Sequence, residues 1–169
     1  MTGTSYKGKL MRYVRIFLIV LIVATLAFTF FQSSKSKEES QETSDNVGQM
    51  IEPIISSDTP IGDYVHTNLR KIAHFVEFFM LGAEVALYIV LFCAKIKYAA
   101  FSLLVAPIVA LFDETIQIFS DRGPSISDVW LDVLGFFSAA LIVYAVGFLI
   151  IKYRSSSSAD DGNNLSGEK

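Results

Sequence analysis

The stretch from Asp113 to Asp132, "DETIQIFSDRGPSISDVWLD", packs five carboxylates and one arginine between two strongly apolar runs. Upstream, Arg70, His74, Glu77, Leu81 and Glu84 follow steps of four, three, four and three, which align them along one stripe of a helix. Side chains of these types support two kinds of chemistry. A binding site would use its cations to hold a phosphate or carboxylate through charge-assisted hydrogen bonds, and its acids to hold hydroxyl and amine groups. A hydrolase or transferase would use His74, Glu77, Asp113 or Glu114 to take and return a proton. The chain lacks G-x-S-x-G, H-E-x-x-H and a phosphate-cradling glycine loop, so binding is the preferred reading and acid/base catalysis the alternative. The expected ligand-binding set is Arg70, His74, Glu77, Asp113, Glu114, Gln117, Arg122, Asp128 and Asp132. Six carboxylates against three cations (Arg70, Lys71, Arg122) means that some acids are protonated, paired or held by a cation. The ligand types are too undistinctive to specify a metal, and no metal or cofactor is expected.

The elements that carry these residues are membrane spans. Hydrophobic residues make up 52% of the chain and occur in blocks instead of at the period of a soluble core. A hydrocarbon core needs about 20 helical residues. Val14 to Phe31, Ile72 to Ala94, Tyr98 to Ser120 and Val129 to Ile151 meet that length, and nothing resembles the alternating strands of a barrel. The expected fold is all-α, a small polytopic bundle of four transmembrane helices over residues 14–151. A basic tail (1–13) precedes it and a polar, disordered tail (152–169) follows. Lys7, Lys9, Arg12 and Arg15, then Lys95 and Lys97, then Lys152 and Arg154 fall on one side if the chain crosses four times. The positive-inside rule makes that side cytoplasmic and puts both termini there. The first run is long for a signal peptide and has no A-x-A-like site after it, so it reads as an uncleaved anchor.

With that orientation, residues 32–69 form an outer loop. "SSKSKEESQETSDN" reads as polar and mobile. Val47, Met50, Ile51, Ile54 and Ile55 recur at helical spacing, which fits either a short amphipathic helix on the outer interface or a loop with scattered aliphatics. Depth then gathers the charged residues. Asp113, Glu114 and Gln117 fall in the last two turns of the third span, within roughly 10 Å of its outer end. Asp132 opens the fourth span, and the Arg70 stripe enters from the same side. An intramembrane charge costs at least about 2.5 kcal/mol, so such residues face a bundle interior or a wet cavity. Plainer roles compete: Lys71 as a snorkelling anchor, Asp128 in an S-x-x-D cap with Ser125, Glu84 as an interhelical hydrogen-bond partner, Gly135 and Ala139 as a close-packing surface, Pro107 as a bend and Cys93 as a small apolar filler. The cytoplasmic basic residues are few and explained by topology, so nucleic acid is not an expected partner.

"KIAHFVEFFMLG", "DETIQIF" leading to "DR", and "SISDVWLDVLG" together resemble the VanZ family of bacterial membrane proteins, known through accessory resistance to teicoplanin and related glycopeptides. The motif residues that match are Lys71, His74 and Phe75; Asp113, Glu114 and Gln117; and Arg122 with Asp128. The serine-rich "QSSKSKEESQETS" is similar to the family's outer segment, and the likeness runs from about Phe30 to Ile150. Asp132 stands where an asparagine is usual, and Ala139 or Ala140 where a small glycine is common. The resemblance implies a multi-pass protein of the bacterial plasma membrane with a cell-envelope role in glycopeptide resistance. The implied partners are a membrane lipid, a lipid-linked wall precursor or the lipoglycopeptide itself.

Overall fold

The computed structural model of the chain describes residues 3–93, 96–120, 123 and 125–166. It contains helices α1 (Gly3–Ser33), α2 (Lys37–Ile51), α3 (Pro60–Thr67), α4 (Leu69–Phe92), α5 (Ile96–Phe119) and α6 (Ile126–Ser166), with no strand among the described residues. Four of them, α1, α4, α5 and α6, are long and apolar enough to cross a membrane, in agreement with the four spans read from sequence. Phe17, Val20, Leu104, Leu111, Leu141 and Phe148 are exposed on their outer faces, as a bundle solvated by lipid chains requires.

Side-chain contacts fix an up-and-down order. Arg15 Nε donates to Tyr88 Oη (3.0 Å) and Thr25 Oγ1 to Glu84 Oε1 (2.9 Å), so α1 and α4 run in opposite directions. Ser102 pairs with Tyr144 (2.8 Å) while Glu114 meets Ser125, so α5 and α6 are antiparallel as well. Helices α4 and α6 run the same way and form the closest interface of the bundle. A Cβ on Gly82 would sit 2.3 Å from the Phe136 carbonyl oxygen, and one on Gly135 would sit 2.6 Å from that of Phe75. Only glycine allows this backbone approach, and Ala139 is buried one turn on from Gly135. Phe78, Leu81, Ala106, Ala110, Phe136 and Ala140 fill the core around this seam. Arg15, Lys97 and Lys152 thus lie at one end of the bundle, and Ser33, Arg70, Gln117 and Ser125 at the other.

Three boundaries differ from the sequence reading. The polar stretch after the first span is helical: Ser36 and Glu39 form a reciprocal capping box that starts α2 ten residues before the first of the aliphatics at Val47. Met50, near the end of α2, and Ile54, just beyond it, are largely exposed. α3 adds a second short helix, capped by Thr59. The turn between them is tied by Glu52, whose carboxyl is held below its usual range by the Ser57 backbone N–H first and then by the Ser57 hydroxyl. At the other end, α6 continues past Ile151 to Ser166, where an unstructured tail was expected. No proline or C-capping glycine stands near Ile151, so the helix meets no stop signal there.

Candidate functional site

The polar residues sit where α4, α5 and α6 converge, and α1 closes the group from the fourth side. Asp113 is its centre. It is fully buried, and it accepts hydrogen bonds from Ser33 Oγ (2.6 Å to Oδ1) and Gln117 Nε2 (2.8 Å to Oδ2). Gln117, one turn on in α5, takes Arg70 Nη2 on its own Oε1 at 2.7 Å. The amide therefore stands between cation and carboxylate with its dipole aligned to both, so Arg70 reaches Asp113 through Gln117. His74 Nδ1 lies 3.8 Å from Asp113 Oδ2. Asp132, in the second turn of α6, is 1% exposed and lies among the carboxylates of Asp113, Asp128, Glu114 and Glu77. Its Oδ1 has no hydrogen-bond partner among the described residues, and the same holds for one oxygen each of Glu77 and Glu114.

Glu114 and Asp128 have local work. The Ser125 hydroxyl accepts the Asp128 N–H (3.3 Å) at the start of α6, as the S-x-x-D spacing anticipates. In a capping box the residue at N3 would also accept the Ser125 N–H. Here Glu114 Oε1 takes that bond from across the interface, pinning the end of α5 to the start of α6. Lys71 is exposed, as an anchor would be. Glu84 lies two turns deeper along α4 than Glu77 and bonds to Thr25, away from the main cluster. Arg122, expected in the site, falls outside the described residues.

The expected ligand-binding set falls into two parts. A cleft of about 440 Å³ opens between α1, α2 and α4; Arg70, His74 and Glu77 line it together with Lys35, Phe28 and Met80. Asp113, Glu114, Gln117 and Asp132 are packed behind it and closed off from its surface. His74 belongs to both parts. Sequence reasoning missed the contribution of α1 and α2. Thr25, Thr29 and Ser33 recur every four residues on α1 and face Glu84, Glu77 and Asp113 in turn. Hydroxyls at that spacing in an apolar helix are the signal that was available. Lys35, whose ammonium lies 5.7 Å from the Phe31 ring centre, could not be placed without knowing that α2 folds back over the α1–α4 groove.

No curated protein and no solved structure matches the chain. The family described as VanZ/LLP1 matches residues 17–152, from within the first span through the fourth and so across every part of the cleft and the buried cluster, and the chain is a member of the VanZ/LLP1 family.

Proposed function

We propose that this membrane protein binds or moves an amphiphilic ligand, a membrane lipid or lipid-linked wall precursor, in the cleft between α1, α2 and α4. Through that ligand it would contribute to envelope maintenance or to glycopeptide (teicoplanin) resistance. The cleft carries the reading. Its volume of about 440 Å³ lies within the roughly 300–1,000 Å³ typical of small-molecule sites. Phe28, Ile72, Val76 and Met80 supply an apolar wall, while Lys35 and Arg70 add two cations to the lining. An acyl or prenyl chain suits the first and a phosphate or carboxylate the second. Glycopeptides act on lipid-linked precursors outside the cell, so a site in the outer leaflet meets both drug and precursor.

The test is native mass spectrometry of detergent-purified protein, followed by titration with a polyprenyl-phosphate probe. The wild type should retain an amphiphile. Met80→Trp should displace it by filling the apolar wall. Lys35→Ala should weaken the probe by about 1.5–3 kcal/mol, one to two decades in affinity. Equal binding by wild type and both variants would sink the proposal.

The orientation belongs to the same reading. Basic residues cluster at the end of the bundle away from the cleft, so that end is cytoplasmic and α2 lies outside. In a Cys93→Ser background, an impermeant thiol reagent applied to intact cells should label Ser44→Cys and spare Ser157→Cys. The reverse pattern would invert the topology.

A further inference from the structure

The geometry points to a divalent metal site formed by His74, Asp113 and Asp132, a role that sequence reasoning did not assign. One ligand atom from each residue lies within 4.8 Å of those of the other two, and all three residues are buried. They come from α4, α5 and α6, so the ion would join the three helices whose convergence defines the cluster.

Two features separate this group from an ordinary patch of acids. First, Asp132 is 99% buried, and its Oδ1 has no hydrogen-bond partner among the described residues. A carboxylate oxygen in that setting needs a proton or a cation, because burial without a partner carries the full desolvation penalty. Second, the Arg70 guanidinium is kept at one remove from Asp113 by Gln117. Asp113 and Asp132, with Glu77 and Glu114 around them, therefore crowd carboxylates together while the arginine stands off behind an amide. A bound dication supplies the missing charge.

The donor set indicates which ion. One imidazole with two carboxylates suits Zn²⁺ or Mn²⁺ better than Ca²⁺ or Mg²⁺, which favour oxygen alone. Metal–ligand distances of ~2.0–2.2 Å would draw the three donors together from their present spacing. Asp113 is already oriented by Ser33 and Gln117, the kind of outer-shell support that ligating carboxylates receive. His74 also lines the cleft, so the ion would stand just behind its wall. The site stands on its own geometry and does not depend on the amphiphile reading.

The experiment uses tag-free protein in detergent, stripped with a chelator and titrated with Zn²⁺ and with Mn²⁺. Bound metal is measured by plasma mass spectrometry and stability by thermal unfolding. Wild type should bind about one ion per chain and melt at a higher temperature with metal than without. Asp132→Asn and His74→Gln should each weaken binding at least ~10-fold, since loss of a ligand costs no less than loss of its outer-shell support. The chain has two histidines, and His66→Gln should leave binding unchanged. If a cluster variant fails to fold, pulsed paramagnetic resonance of Mn²⁺-loaded His66→Gln protein decides, because an imidazole nitrogen coupling must then come from His74. Lack of saturable binding, binding that survives in both cluster variants, or absence of that coupling would each overturn the site.

Discussion

Replacing Asp113 with alanine is expected to cost about 3–5 kcal/mol of folding stability, the range seen when one partner of a buried charged network is removed. Asp113 is fully buried and gathers contacts from three helices: Ser33 of α1, His74 of α4 and Gln117 of its own α5, with Arg70 of α4 bound through Gln117. Alanine would leave the Gln117 amide N–H₂ and the Ser33 hydroxyl facing a void, and would leave the Arg70 charge bound to an amide that no longer has an anion behind it. Asp113→Asn should be much milder. Its Oδ1 can accept from Gln117, and the Ser33 hydroxyl can rotate to accept from the new amide. Denaturant titration in a fixed detergent micelle, followed by circular dichroism, would rank the three proteins. An alanine variant within about 0.5 kcal/mol of wild type, the range typical of inconsequential surface changes, would show that the network does not hold the bundle together.

That network shows which parts of the site were legible in the sequence. The spans were, because lipid tolerates only long apolar helices and leaves little room for another reading. The Arg70, His74, Glu77 stripe was also legible, since helical spacing alone puts those residues on one face. What could not be read was rotation. Asp113 and Glu114 are adjacent and point about 100° apart on a helix of 3.6 residues per turn; only the packed bundle turns Asp113 toward α1 and α4 and Glu114 toward the cap of α6. The same gap hid the split between open cleft and closed cluster. α2 was different, because its start was written in the chain. Ser36 and Glu39 have the S-x-x-E spacing of a capping box, but the polar composition around them favoured a mobile loop. At α6 the sequence lacks a stop signal, and the helix runs on.

The capping role of Glu114 sharpens the choice between binding and catalysis. Glu114→Gln keeps an oxygen that can accept the Ser125 N–H, so the α5–α6 connection should survive and the protein should remain folded. Glu114 lies behind the cleft, away from its lining. If the protein only binds, Glu114→Gln should weaken the ligand by less than Lys35→Ala, which removes a charge from the cleft lining and is expected to cost one to two decades. Raising the ligand concentration should then restore full occupancy. If Glu114 is instead a general base, with His74 or Asp113 beside it, the substitution should lower the rate by 10²- to 10⁴-fold, and saturation would not recover it. Purified protein incubated separately with wall-precursor lipid and with teicoplanin, with bound ligand and product mass both followed, distinguishes the two. The expected result is retained binding and no new product in wild type or variant. Covalent turnover by wild type that disappears in Glu114→Gln while binding persists would make this protein an enzyme, with the buried acids as its working groups.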